Sequence, residues 1–478
     1  MTRTQAVLAT LVVYKIVLIA LGLWARRRTH DGVDFFLGGR ALGPMVAAIS
    51  ASASSSSAWT LLGVSGAAYA WGVSAIWLFP ACVGGFALNW YVLAPGLRAL
   101  SRRTGAVTVT EVMAGDPGHP LAATITRLAS FILLFSLLAY VAAQFHAAGK
   151  TFAETFGIGT VQSVLLGGGV VVLYTMLGGF WAVSLTDTLQ GLVMAATAIL
   201  LPLAALVAVG GPAGLADGLG EITAAGYLSP TRHLAPVVGI GWVLGLLGIG
   251  LGYPGQPHVV NRFMALQEGE APLRRARRIA LAWAVVVYAG MILLGLCGRV
   301  LLPALADREV IFLAATNRLF PPVMAGVMIA AVLSAIMSTA DSQLLVAGSA
   351  VAHDLKLGGA TAGTMLFRSR LVVLLLSLAA IAAALVGSQQ IFSRVLFAWA
   401  AMGAAFGPLL LVIVLRGAPP PGRALAAMAA GFFLSVGAYW WAPGIAAGFW
   451  ERVVPFVVAL AILLAPASRG RRTTPAAS

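Results

Sequence analysis

Two aspartates lie inside apolar segments of the chain, where an ionisable side chain is expensive to bury. Asp187 follows Thr186, and Asp341 precedes Ser342. Carboxylate and hydroxyl oxygens without histidine or cysteine suit a hard cation rather than a transition metal. We therefore predict a cation site within the membrane. Two simpler interpretations stay open: Asp187 with Thr186 as a helix N-cap, and Asp341 as an interhelical hydrogen bond or a carboxylate that snorkels.

A serine-rich run precedes Trp59 in one of the most hydrophobic regions. Six of the eight residues from Ser50 to Ser57 are serine. Small residues allow two helices to approach closely, but close packing accounts for a few serines rather than this density. Polar backbone at bilayer depth is tolerated where it is buried in protein or lines a wet cavity. We therefore predict that this run interrupts a helix beside a cavity.

A second interruption is predicted between Gly250 and His258, a stretch that contains two prolines and three glycines. Proline removes an N–H donor and clashes with the preceding turn, so a continuous helix is disfavoured there. Paired, interrupted hydrophobic segments in two halves of a chain indicate the binding site of a transporter.

Hydropathy predicts an all-α polytopic membrane protein with about thirteen transmembrane helices. The predicted spans lie near residues 5–25, 43–71, 74–97, 124–150, 160–181, 187–209, 235–260, 279–302, 322–352, 370–388, 392–415, 424–443 and 453–467. The first is interpreted as a retained helix rather than a signal peptide, because it has no Ala-x-Ala-type cleavage site.

The two interruptions fall in spans 2 and 7, which predicts two five-span units. Because five is odd, the second unit crosses the membrane in the opposite direction and gives an inverted repeat. We predict a single membrane transport domain over residues 1–478. Its parts are 1–42 (first helix and cytoplasmic loop), 43–209 (first repeat), 235–415 (second repeat) and 416–478 (last two helices and cytoplasmic tail).

Composition and charge support this class. The chain has 478 residues, of which 60% are hydrophobic and 9% charged, whereas soluble domains are about 25% charged. The net charge of +15 is spread over short loops, so nucleic acid is not a predicted partner. One set of alternate loops, which includes Arg26 to Arg28, Arg262 and the cluster from Arg274 to Arg278, is the richer in Lys and Arg. The positive-inside rule then puts the N-terminus outside and the C-terminus in the cytoplasm.

Several motifs in order resemble the sodium/solute symporter family, most closely its sodium/proline symporter branch. They are Phe35-Phe36-Leu37-Gly38-Gly39-Arg40, the serine-rich break ending in Trp59, Gly178-Gly179-Phe180 with Thr186-Asp187, Gly255-Gln256-Pro257-His258-x-x-x-Arg262-Phe263, and Met337-Ser338-Thr339. The resemblance implies a LeuT-type 5+5 inverted repeat with extra flanking helices.

The resemblance also implies the site residues. A first sodium site would use backbone oxygens of Ala53 and Ser56 with the hydroxyls of Ser338 and Thr339. Some members have a second cation site, which here would be formed by Asp187, Asp341 and Ser342. The substrate would lie near Ser57, Ala58, Tyr140, Tyr253, Pro257 and Gln343. His146 and Lys150 would meet either a substrate carboxylate or the outer interface, which is favoured for Lys150.

Two positions depart from the proline symporter pattern. Ser55 stands where those symporters have an aspartate that supports sodium binding, and Ile249 stands where they have a tryptophan one turn before Tyr253. A flat aromatic wall for a pyrrolidine ring would thus be replaced by a smaller branched one.

We therefore expect a secondary active symporter in a bacterial-type inner or plasma membrane. Sodium influx would drive uptake of a small organic solute, with proline or another amino or carboxylic acid as the leading substrate. Proton coupling through Asp187 or Asp341 is the alternative within this class, and a transporter-like sensor is the alternative outside it. The sequence lacks a nucleophile–base pair in the spans, so an enzyme is not expected. The expected partners are the solute, the cation and the lipid bilayer, with no obligate protein partner.

Overall fold

Helices make up the regular structure of the residues that the computed structural model describes. These are residues 2–26, 37–175, 180–351, 362–386, 390–442 and 444–466. Two of the quoted motifs fall partly outside them, at Phe35-Phe36 and Gly178-Gly179. Over these ranges, nine helical segments are long and apolar enough to cross a membrane. The total of about thirteen spans stays a prediction, as do the boundaries of the two repeats.

The helices before residue 235 carry the first interrupted span. They are α1 (Arg3–Arg26), α2 (Pro44–Ser55), α3 (Val64–Trp71), α4 (Leu78–Ala87), α5 (Ala94–Thr104), α6 (Val109–Ala114), α7 (Ala122–Phe156), α8 (Thr160–Thr175), α9 (Phe180–Ala208) and α10 (Gly211–Gly220).

The helices after residue 235 carry the second interrupted span. They are α11 (Pro236–Leu251), α12 (Pro257–Ala265), α13 (Glu270–Leu301), α14 (Ile311–Leu319), α15 (Pro322–Ser349), α16 (Ala362–Val386), α17 (Ile391–Arg416), α18 (Pro421–Trp441) and α19 (Val454–Leu464).

Both predicted interruptions are present. Helix α2 ends at Ser55, Ser56 leaves the helical region (φ −118°, ψ 80°), and a π-helical turn over Trp59–Gly63 leads into α3. Helix α11 ends at Leu251, and Gln256 is extended (φ −107°, ψ 92°) just before α12. Each interruption frees main-chain groups for other partners, as a binding site at membrane depth requires.

Close main-chain packing holds the second interruption against α17. A Cβ atom on Gly252 would overlap the indole ring of Trp399. One on Gly255 would lie 2.6 Å from the carbonyl oxygen of Met402, which is also too close. The glycines of this segment therefore serve close approach as well as the break itself.

The core of the fold surrounds α2. Helices α9, α12, α13 and α15 all pack against it. Helix α15 is buried without interruption from Met328 to Ser349, as expected of a helix enclosed by others. By contrast, α1 exposes Val13 and Ile16 on its outer face, which suits contact with lipid. The polar stretches identified in the sequence thus lie in the interior of a helical assembly.

A short main-chain bridge joins the two interrupted spans at one end of the assembly. The amide of Leu42 donates to the carbonyl of Ala265 at 3.0 Å, and the amide of Gln267 donates to the carbonyl of Leu42 at 3.0 Å. Arg102 donates to the carbonyls of Arg40 and Leu266 at 3.1 and 2.9 Å. The beginning of α2 and the end of α12 are therefore tied together.

Glu309 fastens the beginning of α17. Its two carboxylate oxygens accept the amides of Ile391 and Phe392 at 3.0 and 2.8 Å, and Lys150 of α7 donates to it at 3.0 Å. Lys150 also pairs with Asp307 at 2.7 Å. A carboxylate at a helix N-terminus satisfies N–H groups that have no partner within the helix. Lys150 thus has a structural role in an acidic cluster.

We expect Glu309→Gln to lower thermal stability in detergent. The neutral amide loses charge-assisted hydrogen bonds, each of about 1.5–3 kcal/mol. The control is Asp307→Asn, because the Asp307 side chain is 45% exposed and that of Glu309 is 2% exposed. Equal melting temperatures for the two variants would contradict this role.

Candidate functional site

The first cluster lies where the end of α2 meets α15. The Ser338 hydroxyl donates to the carbonyl of Ala53 at 3.2 Å, and the Thr339 hydroxyl donates to the carbonyl of Ser54 at 3.2 Å. All four residues are buried. The structure therefore brings together Ala53, Ser338 and Thr339 of the predicted first sodium site and adds the Ser54 carbonyl. The arrangement is a set of neutral oxygens that can turn towards a cation.

Ser56 is the remaining residue of that predicted set. Its amide donates to the Ala53 carbonyl at 3.2 Å, so its main chain lies at the same interruption. Its hydroxyl lies 3.4 Å from that of Tyr288 on α13.

The second cluster surrounds Asp187, which is completely buried. Its Oδ2 atom accepts from the hydroxyls of Ser50 and Ser54 at 3.0 Å each and from Ser342 at 3.3 Å. The N-cap interpretation of Asp187 is wrong, because α9 begins at Phe180 and Asp187 lies about two turns inside it. The carboxylate instead joins α9 to the serine run of α2 and to α15.

Arg262 is the positive partner of Asp187. Its Nη2 atom lies 3.0 Å from Asp187 Oδ2 and 2.6 Å from the Ser342 hydroxyl, and its Nε donates to Ser50 at 3.1 Å. The guanidinium stacks over the ring of Phe180 at 5.2 Å. The side chain is 1% exposed. A buried pair of this kind needs such hydrogen bonds to offset desolvation.

Sequence reasoning missed Arg262 and assigned it to a loop. The predicted span ended at residue 260, whereas α12 continues to Ala265 and turns Arg262 inward. One signal was available: Arg262 follows His258 by four residues, and its guanidinium hydrogen-bonds the His258 carbonyl. In a helix, that spacing puts both residues on one face.

Asp341 occupies a separate position from Asp187. Its Oδ1 atom accepts a hydrogen bond from Thr175 at the end of α8. Its Oδ2 atom has no hydrogen-bond partner among the residues that the structure describes. The predicted second set is therefore divided: Ser342 faces Asp187, whereas Asp341 faces α8.

The predicted substrate residues beside α2 form one group. The Tyr140 hydroxyl donates to that of Ser57 at 3.3 Å, and the ring of Tyr140 meets His258 edge to face at 6.1 Å. The amide of Ala58 donates to Gln144 Oε1 at 3.1 Å. Gln144 was missed, although it lies one turn after Tyr140 on α7 and the four-residue spacing would have indicated it.

A second group forms around Tyr253. Its hydroxyl lies 2.9 Å from that of Tyr288, which connects it to Ser56. The Trp399 indole donates to the carbonyl of Ile249 at 3.0 Å, and its ring lies 4.7 Å from that of Tyr253. An aromatic ring from α17 therefore lies beside Ile249, so the surroundings of this position are more aromatic than an isoleucine side chain alone would indicate.

The last two predicted substrate residues are also buried. Pro257 is the first residue of α12, next to the interruption. Gln343 lies on α15, and its amide has no hydrogen-bond partner in the described part of the chain. An unsatisfied amide at such depth is costly, which favours a polar ligand or water beside it.

Two interrupted helices that meet at a buried polar centre define a transport protein with a LeuT-type inverted repeat. The chain matches the sodium:solute symporter family over residues 35–431 and belongs to that family. It is a sodium-coupled solute symporter in a membrane, and it is not an enzyme.

Curated relatives cover most of the chain. It is 35% identical to the osmoregulated proline transporter OpuE of Bacillus subtilis, over 95% of this chain and 93% of the relative. It is 35% identical to the high-affinity proline transporter PutP of the same organism, with 83% and 84% covered. It is 34% identical to the sodium/proline symporter of Escherichia coli, with 90% and 87% covered.

Solved structures agree on the fold. A substrate-bound, outward-open Na+-coupled sialic acid symporter superposes with a TM-score of 0.78 at 18% identity, over 97% of this chain and 99% of the other. The nucleobase-cation-symport-1 family transporter Mhp1, in a closed conformation, gives 0.57 at 14% identity, over 91% and 94%. These likenesses support the architecture inferred from the two interruptions.

Proposed function

We propose that this protein takes up proline together with sodium by alternating access. The observation that carries this proposal is the pairing of the Ser338 and Thr339 hydroxyls with carbonyls at the interruption of α2. Such an oxygen set suits a hard cation. The substrate assignment is supported by the proline transporters among the relatives.

The coupling cation is proposed to bind Ala53 and Ser56 through their carbonyls and Ser338 and Thr339 through their hydroxyls. A cation there would join α2 to α15 and favour the conformation that binds substrate. Coupling requires such a difference in affinity between conformations. Asp187 and Ser342 line one part of the proposed second cation position and Asp341 lines another, and Arg262 already balances the charge of Asp187.

Proline is proposed to lie between the two substrate groups. On one side, polar contacts come from Ser57, Ala58 and Tyr140. Pro257 directly precedes His258, whose ring contacts Tyr140, and Gln343 directly follows Ser342. Ile249 and Tyr253 offer an apolar wall on the other, to which Trp399 contributes its ring. A zwitterion with a small apolar ring needs both kinds of surface.

The proposed orientation has the N-terminus outside and the C-terminus in the cytoplasm of a bacterial plasma membrane. The asymmetry of Lys and Arg between loops supports it. Sodium then moves inward with the membrane potential, which supplies about 2.3 kcal/mol per charge at 100 mV. That energy supports accumulation of the solute even before a sodium concentration gradient is added.

The test is uptake of labelled proline by liposomes that contain the purified protein. Three conditions are compared: a sodium gradient, a proton gradient and neither. We expect uptake that depends on sodium, with other amino acids and carboxylates competing weakly. Uptake driven by protons alone would contradict sodium coupling, and no proline uptake under either gradient would contradict the substrate.

We expect Tyr140→Phe to raise the KM for proline about two- to tenfold, because one hydrogen bond contributes about 0.5–1.5 kcal/mol. The sodium dependence should stay unchanged, since Tyr140 contacts Ser57 rather than the cation cluster. Tyr227→Phe is the matched control, because its hydroxyl contacts the carbonyl of Tyr69 instead. A shift in sodium affinity without a shift in KM would contradict this role.

A further inference from the structure

A lysine lies halfway along α1, at a depth where a charge requires a partner. Lys15 is in the interior of a helix that spans Arg3–Arg26. Its neighbour Tyr14 places its hydroxyl 2.5 Å from that of Ser334 on α15. The ammonium of Lys15 contacts the sulfur of Met337 on the same helix. This face of α1 therefore presents polar groups to the core while the opposite face is apolar.

The two α15 residues that α1 contacts share a helical spacing with Asp341. Ser334, Met337 and Asp341 are separated by three and four residues, so they share one face of α15. Tyr14 and Lys15 thus approach the face that carries Asp341. Lys15 contacts Met337, which lies one turn before Asp341 on that face. Asp341 also offers a second carboxylate oxygen beyond the one that Thr175 uses.

We infer that Lys15 is a tethered counter-ion for Asp341 that keeps sodium out of the second cation position, so that one sodium ion accompanies each solute. A lysine suits this role because it is a compact charge on a flexible stem. A sodium ion at Asp341 would have to displace that charge or share one carboxylate with it.

The charges of the interior are consistent with this inference. Asp187 is balanced by Arg262, and Lys15 is the cation that α1 brings to the face of α15 that carries Asp341. The first position consists of neutral carbonyl and hydroxyl oxygens and still requires a cation from solution. The inference rests on the proposed function, because it concerns the number of coupling ions. Helix α1 precedes both predicted five-span units, so a residue outside the repeats would set the number of coupling ions.

The test is direct binding of radioactive sodium to the purified protein at saturating concentration. We expect one ion per wild-type molecule and two per Lys15→Met molecule. Lys15→Arg keeps the charge and should bind one. The Lys15→Met/Asp341→Asn double variant removes both charges and should also bind one. Tyr14→Phe is the matched control, because it changes the same face of α1 without changing charge.

Several results would overturn the inference. Two ions bound by the wild type would do so, as would one ion bound by a folded Lys15→Met variant. Lys15→Gln is measured in parallel as a second neutral variant with a polar side chain, and one ion bound by it would overturn the inference in the same way. Failure of the proposed function is distinguishable: the wild type would then bind no sodium or would bind it without transporting proline.

Discussion

The Asp187→Asn variant is expected to require about tenfold more sodium, or more, for half-maximal proline uptake. The change leaves Arg262 as a buried cation without its carboxylate. Ser54 contacts both Asp187 and Thr339, so the unbalanced charge lies near the first cation position. Two like charges about 4 Å apart oppose each other by on the order of 1–4 kcal/mol, and 1.4 kcal/mol is a factor of ten. Stability should also fall by about 3–5 kcal/mol, the usual result of breaking a buried pair.

Two further variants separate the effect on sodium binding from the effect on stability. Arg262→Gln in the Asp187→Asn background removes the orphaned charge and should recover most of the stability. Asp217→Asn on α10 is the matched control, since it makes the same chemical change at an exposed position. Sodium dependence that is unchanged in a folded Asp187→Asn protein would exclude Asp187 from coupling.

The Ser338→Ala/Thr339→Ala double variant is expected to weaken sodium binding by about two orders of magnitude. Hydrogen bonds to charged groups are worth about 1.5–3 kcal/mol each, and this variant removes both of the proposed hydroxyl ligands. The fold should persist, because both side chains are small and the carbonyls of Ala53 and Ser54 remain in place. The measurement is a sodium titration of proline uptake together with thermal unfolding.

Two further variants test whether the hydroxyls act as ligands. Thr339→Ser keeps the oxygen and should retain most of the affinity. Ser334→Ala removes another hydroxyl from α15, and that hydroxyl contacts Tyr14 rather than α2. This variant should leave the sodium affinity near that of the wild type. Equal losses from Ser334→Ala and from the double variant would argue against a cation at Ser338 and Thr339.

Local chemistry in the sequence predicted the positions of both interruptions. Proline and glycine between Gly250 and His258 disfavour a helix whatever surrounds them. The serine run places many hydroxyls in an apolar region, which is unfavourable unless they face polar groups. Burial of Asp187 and Asp341 followed from their apolar flanks. These features depend on neighbours in the chain, which a sequence displays directly.

Partners from distant parts of the chain were the features that sequence could not supply. Arg262 lies 75 residues from Asp187, and its inward direction depends on where α12 ends. The ring beside Ile249 comes from Trp399, so the side chain at position 249 alone gave an incomplete description of the wall. Contacts of this kind depend on helix packing rather than on local pattern.

The link between Leu42 and the residues at the end of α12 has a consequence for inherited variation. Its hydrogen bonds use amide and carbonyl groups, which nearly every amino acid supplies alike. Divergence of side chains at Gln267 therefore leaves this fastening intact, and comparison of residue types would not reveal it. Proline is the exception, because it has no N–H to donate. Main-chain hydrogen bonds can thus keep two half-helices together while most amino-acid substitutions at these positions leave the link unchanged.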